Sequence, residues 1–138
     1  MEYQDLIGIP FKDGGRDLDG LDCWGLAKIM LERQGYDDVP NYAISAYDIP
    51  SISNTIQSES HDAWRRINKP ESGCVVLLAN GCTPKANHVG IVIDDDRFIH
   101  SYCRTGVCIS RLSRWRSHIL GYYLPPERSM KRGTDYCH

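Results

Sequence analysis

Cys23 stands where a glycine-rich stretch (Gly14, Gly15, Gly20) gives way to a run of helical periodicity. The first turn of a helix carries unpaired N–H groups and a partial positive charge. A cysteine placed there is expected to favour its thiolate over its thiol. His88 and His100 lie far downstream, each in a strand-like segment. One cysteine at a helix start with separated histidines outlines a thiol nucleophile served by an imidazole base. In such a site Cys23 attacks a carbonyl carbon, and His88 pairs with the thiolate and later protonates the leaving group. His100 orients His88 and fixes its tautomer. The N–H of Cys23 is then a donor for the tetrahedral oxyanion, worth about 2.7–4 kcal/mol for one such group.

The elements that must position these groups can be read in outline. Tyr3–Ile9 suits a short helix or turn, and 11–21 reads as loop. Asp22 is a good N-cap for a helix running to about Gln34, with Leu26, Ile29, Met30 and Arg33 at helical spacing and Gly35 as a stop. Gly25 inside that helix lowers propensity by about 1 kcal/mol relative to alanine, which suggests that another segment approaches closely there. Residues 36–50 read as irregular, and 51–59 as a second helix. After Gly73 the periodicity changes to that of strands: 74–78, 88–93, 97–101, 106–112 and 119–124. Helices first and then an antiparallel meander give an α+β domain over residues 1–126, with a polar tail over 127–138.

The hairpin between the two histidines decides whether they meet. A three-residue turn at Asp94–Asp96 pairs Ile93 with Arg97 and sets His88 opposite Tyr102, with His100 its diagonal neighbour on the same face. Diagonal neighbours are about 7–8 Å apart at the backbone, a span that two imidazoles can bridge. A turn of two or four residues puts them on opposite faces. If the shared face packs against the start of the Cys23 helix, the three groups converge.

Bulk composition narrows the classes. The chain has 138 residues with 16 basic and 18 acidic side chains. That balance argues against a nucleic-acid partner held by bulk basicity. No window approaches the roughly 18 apolar residues of a membrane span, so no membrane insertion is expected. The acidic start Met1-Glu2-Tyr3-Gln4-Asp5 lacks an apolar signal core, so a target beyond a membrane is expected to be reached as a virion component, as part of a larger assembly or after lysis. The six cysteines (Cys23, Cys74, Cys82, Cys103, Cys108, Cys137) include no Cys-x-x-Cys pair, and the other spacings fit zinc poorly. Five of them read as ordinary buried thiols; no metal and no cofactor are expected. Asp94-Asp95-Asp96 reads as a solvated turn rather than a calcium site. His61, His118 and His138 read as surface residues.

Gly8-Ile9-Pro10-Phe11, Gly14-Gly15 and Asp22-Cys23-Trp24-Gly25-Leu26 together resemble the nucleophile segment of NlpC-type cell-wall endopeptidases. His88-Val89-Gly90-Ile91-Val92 resembles that family's catalytic-histidine strand, and Phe98-Ile99-His100-Ser101 the segment with its third polar residue. Trp64–Pro70, then Gly73–Leu78, resembles the link before the first strand and Ile119–Tyr123 the closing strand, so the likeness covers about residues 4–125. It implies a papain-like α+β fold, with N-terminal helices packed on a five-to-six-stranded antiparallel sheet. It also implies hydrolysis of amide bonds in peptidoglycan stem peptides, typically γ-D-glutamyl to diaminopimelate or lysine. Cys23, His88 and His100 would be catalytic, with Phe11, Asp22 and Trp24 on the substrate and oxyanion side. By residue type alone, Asp22 reads as a helix cap rather than an acid catalyst, and Trp24 as packing or groove wall.

Trp24 after the cysteine, where serine is frequent, is most like the tailed-phage branch. That branch implies a tail-tip component with other tail-tip proteins as partners, opening the host wall from the virion tail. Two departures matter. Many members carry tyrosine where Phe11 stands, and Phe11 has no hydroxyl to donate. Many carry aspartate where Cys74 stands. Two other readings share the fold: an amidase or acyltransferase, and a structural tail-tip or plug module with a closed site.

Overall fold

The computed structural model describes residues 2–36, 65–79 and 88–125. The second helix expected at 51–59, Cys82, Cys137, His61, His138 and the tail at 127–138 lie outside the described residues. Gln4–Leu6 forms one 3-10 turn. The stretch 11–21 is not the plain loop its composition suggests: Arg16–Asp17 (β1) and Gly20–Leu21 (β2) pair antiparallel. The helix α1 spans Cys23–Arg33. Then follow β3 (Arg65–Ile67), β4 (Val75–Leu78), β5 (His88–Val92), β6 (Arg97–Tyr102), β7 (Gly106–Arg111), a 3-10 segment at Leu112–His118, and β8 (Ile119–Leu124).

The large sheet has the order β3-β8-β4-β5-β6-β7, every neighbour antiparallel. It is therefore not a simple meander. Strands β4 to β7 follow one another, but β8 returns across the sheet to lie between β3 and β4. All five strands expected from periodicity are present. The sixth, β3, went unread because Arg65-Arg66-Ile67 is an edge strand with two exposed arginines and no alternating apolar pattern.

Both faces of this sheet are apolar. On one, Leu26, Ala27, Met30 and Leu31 of α1 pack on Val75, Leu77, Val89, Ile91, Ile99 and Val107. On the other, Cys74, Val76, Leu78, Val92 and Phe98 pack beside Ile119 and Tyr122 of β8 and against Leu112 and Trp115 of the 3-10 segment. Burial of these side chains at about 25 cal/mol per Å² is the main force holding the layers together. Polar ties then fix the angle of the helix. Gln34 Nε2 donates to Gly73 O at 3.0 Å, and Arg33 grips both oxygens of Asp5 at 2.8 Å. The Glu71–Cys74 turn closes through its own backbone, Cys74 N–H donating to Glu71 O at 3.0 Å. It needs no aspartate side chain at position 74.

Candidate active site

Asp22 starts the helix and organises the loop before it. Its Oδ1 accepts from Gly25 N–H at 2.7 Å, the capping bond of an N-terminal aspartate. The same oxygen lies 2.6 Å from Arg16 Nη1, and Oδ2 accepts from Gly14 N–H at 3.1 Å. The carboxylate is 1% exposed and occupied by these donors, so it is a structural cap rather than a group facing substrate. Trp24 is 3% exposed within the helix-side core; it packs and does not wall a groove. Phe11 is half-buried and forms an isolated parallel bridge with Leu21. A β-carbon at Gly25 would overlap the carbonyl of Gly15, the close approach that its place inside a helix suggests.

The expected hairpin register is present. Ile91 pairs with Ile99, Val92 with Phe98, and Ile93 N–H donates to Arg97 O at 2.8 Å. His88 and His100 consequently share a face, and His88 Nε2 lies 2.7 Å from His100 Nδ1. Gly90 lies between them in the weave of the sheet: a β-carbon there would come within 2.7 Å of Phe98 Cδ2 and 3.2 Å of His100 Cβ. The Asp94 carboxylate is spent on the turn, accepting from Asp96 N–H, Arg97 N–H and Arg97 Nε.

The shared face is not the one that packs on α1, as convergence through a face requires. Val89 and Ile91 point to the helix. The two imidazoles point the other way, among Phe98, Tyr102 and Trp115, with the His88 and Trp115 rings stacked at 6.1 Å and the His100 and Trp115 centroids 5.4 Å apart. Cys23 sits in the core on the helix side of the sheet, and its neighbour there is the backbone of β5. The antiparallel register makes Val89 N–H the next rung donor toward β6, but the ladder ends at Ile91 and Ile99. The backbone N–H groups of Val89 and Trp24 lie close enough to the Cys23 sulfur to favour its thiolate. Ser101 Oγ donates to Leu21 O at 2.6 Å and holds the segment before the helix against the end of β6. The sulfur thus neighbours the backbone of β5 at Val89, the residue next in sequence to His88.

The electrostatics differ from the expectation of a ready thiolate. Cys23 is 3% exposed. Burial, aided by the charge of Asp22, pushes its thiol up to about 12. The N–H groups of Val89 and Trp24 and the charge of Arg16 act in the opposite direction without overcoming it. Desolvation thus outweighs the helix terminus. Burial also pushes His88 down to about 3, helped by His100, and His100 down to about 4. At neutral pH the resting site is a thiol and two neutral imidazoles.

The remaining thiols vary in exposure. Cys74 is buried, and burial raises it to about 11. Cys103 is exposed and Cys108 half-buried, so neither is the enclosed thiol that composition suggested. Cys108 Sγ lies 3.6 Å from His100 Nε2, and Ser110 Oγ lies 2.8 Å from the same nitrogen. Sequence reasoning missed both neighbours, because they enter from the following hairpin. His118, read as a surface residue, is half-buried, with Nδ1 3.0 Å from Ala79 O.

With this geometry in place, comparison with known proteins is informative. The model of the NlpC/P60 family matches residues 8–123. The murein DD-endopeptidase MepS/murein LD-carboxypeptidase of Escherichia coli (strain K12) is 30% identical over 112 residues, covering 81% of this chain and 52% of that protein. The probable peptidoglycan endopeptidase LytE of Bacillus subtilis (strain 168) is 30% identical over 120 residues, covering 84% of this chain and 30% of that protein. The chain therefore spans about half the length of MepS, and less of LytE. Among solved structures, the NlpC/p60 domain of the peptidoglycan hydrolase SagA superposes with a TM-score of 0.61 at 18% identity, covering 86% of this chain and 89% of that one. An NlpC/P60 family protein from Bacillus cereus ATCC 10987 gives 0.59 at 21% identity, covering 85% and 35%. The family match runs from the loop before α1 to the last strand, across the thiol and both histidines, and this chain belongs to the NlpC/P60 family.

Proposed function

We propose that the chain is a thiol hydrolase that cuts amide bonds in peptidoglycan stem peptides, with Cys23 as nucleophile, His88 as base and acid, and His100 as the residue that orients His88. The observation that carries this reading is a thiol at the helix start beside the backbone N–H of Val89, the residue next to His88, whose imidazole lies 2.7 Å from that of His100. The curated relatives bear peptidoglycan endopeptidase names, which supports the substrate class.

Chemistry from a neutral pair couples the two movements. The Cys23 proton passes to His88 as sulfur bonds to the carbonyl carbon, so no free thiolate has to persist in the buried site. Val89 N–H and Trp24 N–H stabilise the charge that grows on sulfur. The first-turn N–H of Cys23 is a donor for the oxyanion. His88 then gives its proton to the departing amine, the C–N bond breaks and a thioester remains. Water, deprotonated by His88, hydrolyses it and restores the thiol.

The test is incubation with defined stem peptides, including a γ-D-glutamyl–diaminopimelate bond and a D,D cross-link, read by mass spectrometry. Wild type is expected to cut one of these, and Cys23→Ala none. Cleavage by Cys23→Ala at the wild-type rate overturns the assignment, and products that have lost the whole stem identify an amidase. The finer setting we propose is a phage tail tip that acts on the host wall alongside other tail proteins. Its support is the tryptophan directly after the nucleophile. Mass spectrometry of purified virions tests it, since absence of the chain from the tail removes that setting.

A further inference from the structure

His100 does not end the chain of contacts that begins at His88. Its Nδ1 faces His88 Nε2 at 2.7 Å, and its Nε2 faces Ser110 Oγ at 2.8 Å. Ser110 lies on β7 opposite Phe98, and Cys108 is directly opposite His100. Ser110 is thus the diagonal neighbour of His100 across the β6–β7 pair, the same relation that joins His88 to His100 across β5–β6. Two successive three-residue turns, 94–96 and 103–105, set these diagonals in phase.

We infer that Ser110 is a positioning residue which, by accepting the Nε2 proton of His100, sets the tautomers of both histidines and leaves Nδ1 of His88 free to take the thiol proton. This rests on the function proposed above. A neutral imidazole has one donor nitrogen and one acceptor. If His100 donates from Nε2 to Ser110 Oγ, its Nδ1 is bare and accepts from His88 Nε2–H, and Nδ1 of His88 carries a lone pair. If Ser110 instead donates to His100, every bond in the relay reverses. His88 then bears its proton on Nδ1 and cannot act as base there. Both rings are neutral near pH 7 because burial disfavours their charged forms, so the placement of one proton is what distinguishes a working site from an idle one.

Cys108 is the competing partner, at 3.6 Å from the same nitrogen. A thiol sulfur is a weak acceptor beside a hydroxyl oxygen, and Ser110 Oγ is the nearer partner at 2.8 Å. The half-buried Ser110 carries little of the core, so its replacement tests the relay rather than the fold.

The experiment uses the full chain labelled with 15N, and long-range proton–nitrogen spectra of the histidine rings at pH 7 read which nitrogen bears each proton. Wild type and Ser110→Thr are expected to show both His88 and His100 protonated on Nε2. Ser110→Ala is expected to shift both toward the Nδ1-protonated form, and Cys108→Ala to leave both unchanged. Wild-type His88 protonated on Nδ1, or an unchanged pattern in Ser110→Ala, overturns the inference, as does a shift produced by Cys108→Ala alone. On a stem peptide, Ser110→Ala is expected to lower kcat about tenfold at constant KM, with Ser110→Thr restoring it. If wild type cuts no stem peptide, the proposed function fails while the ring spectra still decide the role of Ser110.

Discussion

Nε2 of His88 and Nδ1 of His100 face each other at 2.7 Å, and at that separation a single proton serves both. The two rings are 5% and 1% exposed. Water contributes little to stabilising a second charge, so the pair behaves as one polar unit with a single favoured state at neutral pH.

That state sets the response of the fold to acid. Both folded values, about 3 and about 4, lie below the roughly 6.5 of a free imidazole. As pH falls, the unfolded chain therefore binds protons first. The stability from neutral burial is complete above about pH 6.5 and is lost as pH falls toward the folded values, at about 1.4 kcal/mol per pH unit for each ring. Urea midpoints between pH 7 and 4.5 should fall accordingly, and His100→Gln should flatten the slope. A wild-type midpoint constant over that range would mean that the rings take up protons without unfolding.

The burial of Cys23 orders the thiols by reactivity. With iodoacetamide at pH 7, exposed Cys103 should be alkylated well before Cys23 and Cys74, as read by peptide mass spectrometry. The rate at Cys23 should rise steadily from pH 6 to pH 9. A plateau already reached near pH 5 would reveal a standing ion pair in place of the neutral thiol.

Removing the Asp22 carboxylate should unsettle the helix start. Asp22→Ala loses the bond from Gly25 and leaves Arg16 and Gly14 N–H without this partner, a loss of about 2–4 kcal/mol. Asp22→Asn keeps a capping oxygen and should lose less. Equal urea midpoints for wild type and Asp22→Ala would show that the cap is dispensable.

Gly25→Ala is expected to be far more harmful than an ordinary helix substitution, which would favour alanine. The new methyl group would overlap the Gly15 carbonyl, forcing apart the loop and the helix at about 3 kcal/mol. Thermal unfolding checks the sign: a variant as stable as wild type would mean that the loop is free to move.

The parts of this protein that were legible in sequence are those fixed by local rules. Short apolar runs marked β4 through β8, and a three-residue turn at the three aspartates is the reading that puts two histidines on one face. Asp22, one residue before the helical run, marked its own cap. What stayed hidden depends on distant chain. Arg65-Arg66-Ile67 carries no strand pattern because its edge position leaves both arginines in water. The path of β8 between β3 and β4 leaves no trace in periodicity. The ionisation of Cys23 follows from how deeply it is enclosed, and Ser110 matters only because a second turn brings it beside His100.

The return of β8 gives the molecule an order of assembly. β3 pairs only with β8 among the described strands, and one side of β4 is closed by β8 as well. A nascent chain emerging from the ribosome must hold β3 and one flank of β4 unpaired until the tract around Gly121 is synthesised. A newly made molecule therefore closes its sheet only once the last of these strands has emerged.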